Sequence, residues 1–174
     1  MVTANRVLFL DFDGVVNRRS TLAPGQGRFD SGTVNEGEGC TWRWVDPERC
    51  ALLEDRLVGR VRDLVVEAEA QVIVSSDWRT VLELGEISDL LAAAGWPDAP
   101  LVGTTDPDLA YSFCRRFEEV ADWLRRNGEP VAWVALDDQW GDRDGLGYPV
   151  VEVDPEQGLQ DDDVARALAI LNGQ

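Results

Sequence analysis

The chain has 174 residues, 44% hydrophobic and 28% charged, with a net charge of −17; that length suits one domain with a sizeable core and is short for two. The charge disfavours an extended, sequence-independent nucleic-acid groove and an anionic membrane surface, though not a local basic pocket. Histidine and lysine are both absent, so a histidine nucleophile, base or metal ligand is excluded, and every fixed cation is an arginine.

Val7-Leu8-Phe9-Leu10 reads as a first strand buried on both faces, running into Asp11-Phe12-Asp13-Gly14. Residues 18–45 are rich in Gly, Ser, Thr and Arg and read as an irregular insertion, with a hairpin at Cys40–Val45. Asp46-Pro47 has the residues that open a helix, expected to run to about Ala70 with a bend near Gly59. Val72-Ile73-Val74 is the second strand, ending at Ser75-Ser76-Asp77, and a helical stretch then runs to a cap at Gly95. Leu101-Val102 is the third strand. Residues 112–127 form an amphipathic helix with Phe113, Phe117, Val120 and Leu124 on one stripe. Val131–Leu136 is the fourth strand, ending at Asp137-Asp138, and Val150–Val153 is the fifth. Gly158 and Asp161–Asp163 lead into a last helix, the acidic run serving its N-terminal dipole.

Strands alternating with helices predict a parallel sheet flanked by helices in one α/β domain spanning 1–174. In such sheets ligands bind beyond the carboxyl ends of the strands. Asp11/Asp13, Ser75/Ser76 and Asp137/Asp138 would converge on that edge. Asp11 and Asp13 lie two apart and face the same way in an extended segment. With Asp137 and Asp138 they make four carboxylates at one edge, a set whose repulsion a cation relieves; all-oxygen ligation suits Mg²⁺. Ser75 and Ser76 would meet phosphate or cap the following helix. Arg79, Arg18 and Arg19 are candidate substrate contacts, with a structural or solvated role as the alternative. Trp123 and Trp133 read as core; Trp42, Trp44, Trp78 and Trp140 are placed near the cleft, where they could stack on a ring or pack. The cysteines Cys40, Cys50 and Cys114 are odd in number and lack CxxC spacing, which points to free thiols in the cytoplasm. No run is long enough for a signal peptide or a membrane span.

Asp11-Phe12-Asp13-Gly14-Val15-Val16-Asn17, Val72-Ile73-Val74-Ser75 and Ala135-Leu136-Asp137-Asp138, with Asp142 beyond, resemble the first, second and fourth motifs of the haloacid dehalogenase (HAD) superfamily. Ser75-Ser76-Asp77-Trp78-Arg79, Gly103-Thr104-Thr105, Arg116 to Leu124 and Gly158-Leu159 are similar to the HAD domain of Swiss Army Knife RNA repair proteins. The resemblance implies a HAD-like Rossmannoid fold with a small insertion after the first strand. It also implies a phosphatase in which Asp11 attacks phosphorus, Asp13 is acid and then base, and Ser75 binds the phosphoryl group. Asp11, Asp138 and the main-chain carbonyl of Asp13 would ligate Mg²⁺, with Asp137 and Asp142 beside it. The family's third motif needs a cation. Arg116 flanks the apolar stripe of its helix whereas Arg115 points nearly opposite, which favours Arg116. The implied substrate is a nucleic-acid end phosphate, a nucleotide or another small phosphomonoester. A non-catalytic phosphate-binding module and a phosphotransferase acting on an acceptor other than water are the alternatives.

Overall fold

The first strand alternates its side chains between two apolar layers. Leu8 and Leu10 join one buried cluster, and Val7 and Phe9 join the other, as the two-residue period of a strand requires. A computed structural model describes residues 6–18, 53–80, 82–110, 116–140 and 147–174. Five parallel strands form the sheet: β1 (Arg6–Leu10), β2 (Gln71–Val74), β3 (Leu101–Thr104), β4 (Ala132–Asp137) and β5 (Val150–Glu152), in the order β3-β2-β1-β4-β5. The helices are α1 (Asp55–Ala68), α2 (Leu84–Ala93), the four-residue α3 (Pro107–Ala110), α4 (Arg116–Asn127) and α5 (Asp161–Leu171).

One layer packs α1, α2 and α5 on Leu8, Leu10, Val72, Val74, Val134 and Leu136. The other sets Val120, Trp123 and Leu124 of α4 on Val7, Phe9, Ile73 and Ala135, with the Trp123 ring edge-on to Phe9 at 5.3 Å. Burial on both faces accounts for the unbroken apolar runs of the central strands. The chain builds outward from β1 through β2 to β3, then returns to β4 and β5 on the other side. The order therefore reverses between β1 and β4, the crevice where open parallel sheets bind ligands.

The structure corrects several sequence expectations. The first long helix begins at Asp55, after the extended N-cap residue Glu54, and it runs unbroken through Gly59. Asp46-Pro47 and residues 19–45 lie outside the described residues. The segment after Ser76 is not one helix: a 3₁₀ turn at Asp77–Thr80 precedes α2. The expected helix start at 112 lies outside the described residues, within which α4 runs from Arg116, and α3 was not expected. Trp78 and Trp140 are both fully buried, which is the packed one of the two alternatives the sequence left open. Trp42, Trp44, Arg19, Arg115, Asp142 and the three cysteines lie outside the described residues. No helix among the described residues is long and apolar enough to cross a membrane.

Gly158 ties the last helix to the first loop. Its φ is +66°, and an added Cβ would meet Leu57 Cδ1 at 2.5 Å and the Val15 carbonyl at 3.2 Å. The adjacent Leu159 N–H donates to that same carbonyl at 2.9 Å. Gly158→Ala should therefore lose about 2–5 kcal/mol in urea denaturation, combining left-handed strain with overpacking. Gly95→Ala, at φ +92° with open space around it, should lose only the strain, about 1–2 kcal/mol.

Candidate active site

The hydrogen-bond ladder continues past the ends of the strands and sets the site's spacing. Asp11 N–H donates to the Leu136 carbonyl at 3.0 Å and Ser75 N–H to the Leu10 carbonyl at 2.9 Å. Asp11 is thereby held between the end of β4 and the end of β2. Its Oδ1 accepts its neighbour Phe12 N–H at 2.8 Å. Gly14 turns the chain away at φ +79°, and a Cβ there would lie 2.6 Å from Asp138 Oδ2. Only glycine lets the loop and the Asp138 side chain come this close.

Asp11, Asp137 and Asp138 bring carboxylate oxygens within 4.8 Å of one another. Burial pushes the Asp11 carboxyl well above its ordinary range; Arg116 opposes this, while Asp137, Asp13 and Asp138 add to it. Burial also raises Asp137 against the pull of Arg116. The Asp13 carboxylate stands outside this trio. Its Oδ1 accepts Asn17 Nδ2 at 3.0 Å and its Oδ2 accepts the Trp78 indole N–H at 3.0 Å.

Arg116, the first residue of α4, enters this acidic group. Its Nε donates to Asp137 Oδ2 at 3.0 Å, and its Nη2 lies 3.7 Å from Asp11 Oδ2. Nη1 meets the Ser75 carbonyl, Asp77 Oδ1 at 3.4 Å and Glu119 Oε2 at 3.2 Å. Burial lowers the arginine's pKa, but Asp11, Asp137, Asp77 and Glu119 together raise it further than burial lowers it. It is a fixed cation.

Arg79, for which the sequence offered a substrate contact or a structural role, turns to Glu119 and to the main chain at the end of β2. Its side chain is 0% exposed, and Nη2 is 2.6 Å from Glu119 Oε2. Nη1 donates to the Ser75 and Ser76 carbonyls at 2.9 and 2.7 Å. Burial lowers its pKa against the pull of Glu119. Ser76 is fully buried and Ser75 is 1% exposed at the end of β2. Arg18 turns to Glu54, with Nη2 2.9 Å from Oε2.

Sequence reasoning missed Glu119, which also accepts the Thr105 hydroxyl at 3.4 Å. Its signal was an acidic residue three positions after Arg116, on the buried side of an amphipathic helix. It missed Asn17 too, whose Oδ1 accepts Gly14 N–H at 3.0 Å.

A parallel sheet with an aspartate after β1, an aspartate pair ending β4 and an arginine between them defines an α/β domain with an acidic crevice at its strand ends. The profile of the HAD domain in Swiss Army Knife RNA repair proteins matches residues 7–164, and the chain belongs to that family. No curated protein and no solved structure matches it. HAD domains are generally phosphatases that use a divalent metal, and the aspartate cluster could hold one. The donor set fits: hard oxygen ligands, with more carboxylate charge than one guanidinium offsets.

Glu119→Gln keeps the shape of the side chain but takes from the buried Arg79 its 2.6 Å counter-ion, leaving the half-exposed Asp77 at 3.6 Å. Breaking such a pair costs about 3–5 kcal/mol, which chemical denaturation should register. Arg126→Gln, which breaks ion pairs of an arginine 52% exposed, should cost under about 1 kcal/mol.

Proposed function

We propose that this chain is a Mg²⁺-dependent phosphomonoesterase that works through an aspartyl-phosphate on Asp11. The observation that carries this reading is the Asp11–Arg116–Asp137 arrangement, with Asp138 beside it, in the crevice between β1 and β4. Asp11, Asp138 and the Asp13 main-chain carbonyl would hold the ion, with Asp137 beside it and Asp142 assigned by sequence alone. When bound, the ion supplies Lewis-acid charge that lets a carboxylate approach a phosphate dianion.

An Asp11 carboxylate oxygen forms a bond to phosphorus as the ester P–O bond breaks. The departing oxygen takes a proton from Asp13. Ionised Asp13 then removes a proton from water, whose oxygen bonds to phosphorus as the Asp11–phosphorus bond breaks. Inorganic phosphate leaves and Asp11 is restored. Arg116 stabilises charge shared by Asp11 and the phosphoryl oxygens, and the Ser75 hydroxyl donates to one of those oxygens. An acid at Asp13 serves an oxygen leaving group, which favours phosphate ester cleavage over simple binding.

The substrate class is a nucleotide or a nucleic-acid end phosphate, the latter supported by the RNA-repair context of the family. The net charge of −17 favours contact limited to the terminal nucleotides over a long groove. A cytoplasmic setting agrees with cysteines that have no disulfide spacing.

The test is phosphate release from nucleotides, sugar phosphates and 3′- and 5′-phosphorylated oligonucleotides, with and without Mg²⁺. Release should need Mg²⁺ and vanish in excess chelator; full activity in chelator would contradict the metal assignment. Asp11→Asn should abolish turnover with the fold retained.

Arg116→Ala should lower kcat/KM by about two to three orders of magnitude, as expected when a charge partner leaves a desolvated cluster. Arg116→Lys should recover part of that, keeping the charge but not the planar fork. Unchanged kcat/KM in folded Arg116→Ala would remove the arginine from the reaction.

A further inference from the structure

The side chain assigned here to proton transfer is gripped at both oxygens by donors from two different segments. Asp13 Oδ2 accepts the Trp78 indole N–H and Oδ1 accepts the Asn17 amide, each at 3.0 Å. The sense of both bonds is fixed. An indole N–H can only donate. The Asn17 amide is oriented by its own Oδ1, which accepts Gly14 N–H, so its nitrogen faces Asp13.

Both donors are themselves immobilised. Trp78 is 0% exposed, and its ring stands edge-on to Phe12 at 5.1 Å and 84°. The 3₁₀ turn that carries it is bound through the Thr80 hydroxyl to the Asp77 carbonyl at 2.7 Å and through Arg79 to the Ser75 and Ser76 carbonyls. Asn17 is also fully buried. Asp13 itself is only half-buried, so a side chain reaching the surface is anchored by two that do not.

We infer that Trp78 is a positioning residue for Asp13, acting with Asn17 to hold the carboxylate in one orientation for proton transfer. This role rests on the phosphatase reading above. A positioned acid must lie within hydrogen-bond reach of the oxygen it serves. A free aspartate would spread over several rotamers, and a misplacement of about 1 Å is enough to cost on the order of a hundredfold in rate. Trp78 touches neither phosphate nor leaving group in this role. Its burial has a reason beyond packing, because the indole carries its N–H to Asp13 across the ring of Phe12.

Trp78→Phe keeps an aromatic ring against Phe12 and deletes the N–H. The experiment compares kcat/KM on phenyl phosphate, whose leaving oxygen needs a proton, and on 4-nitrophenyl phosphate, whose leaving oxygen hardly does, both with Mg²⁺. The expected result is a loss of about tenfold or more on phenyl phosphate and a clearly smaller one on 4-nitrophenyl phosphate. Equal losses on both esters would mean a general distortion of the site and would overturn the inference.

A second measurement uses wild-type protein and Asp13→Ala, labelled with ¹⁵N at the indoles and assigned to Trp78. Its N–H proton should move upfield when the carboxylate is removed, whether or not Trp78→Phe folds. An unmoved resonance overturns the clamp and leaves the phosphatase reading standing. A wild type inactive toward both esters and the wider substrate panel overturns the phosphatase reading, and this role with it.

Discussion

Buried like charges set the terms for this structure. Asp11, Asp137 and Asp138 bring carboxylate oxygens within 4.8 Å of one another, and burial penalises the ionised forms of Asp11 and Asp137. Arg116 offsets only part of that charge. The remaining negative charge is one that a divalent cation could offset. The protein tolerates the arrangement because main-chain hydrogen bonds at the strand ends hold Asp11 and Asp137 side by side.

Much of the fold near β2 and α4 serves to keep that arginine in position. Glu119 reaches from α4 to Arg79, and Arg79 ties the carbonyls of Ser75 and Ser76 to it. The same Glu119 oxygen also meets Arg116. One buried carboxylate thus couples the end of β2 to the helix that delivers the cation. On the other side of the sheet, Gly14 gives Asp138 its room, and Gly158 lets the approach to α5 close over the loop that follows Asp13. These contacts act on different atoms, but each constrains the end of β1.

The sheet was legible because its strands are buried on both faces and so appear as unbroken apolar runs such as Val7–Leu10 and Val72–Val74. The site's main members were legible because each follows such a run directly. The segment after Ser76 misled because a 3₁₀ turn uses the same residues as a helix start, and only the tertiary bonds of Arg79 distinguish them. Arg79 and Trp78 read as cleft residues since arginine and tryptophan suit phosphate and base contacts. Both are buried, in line with the structural alternative for each: the arginine meets a carboxylate on α4, and the indole meets one two residues after Asp11. Glu119 was missed although its place three positions after Arg116 is a local signal, because its pairing with Arg79, 40 positions away, is one that no local pattern encodes.

The covalent role of Asp11 is open to direct measurement. The full chain, mixed with a ³²P-labelled phosphomonoester and Mg²⁺ and quenched in acid within the first turnover, can be digested and mapped by peptide. Label on the peptide containing Asp11, lost on treatment with hydroxylamine and absent from Asp11→Asn, is the expected result. Phosphate release by wild-type protein with no acid-stable label on that peptide, and with Asp11→Asn still turning over, would contradict the covalent route.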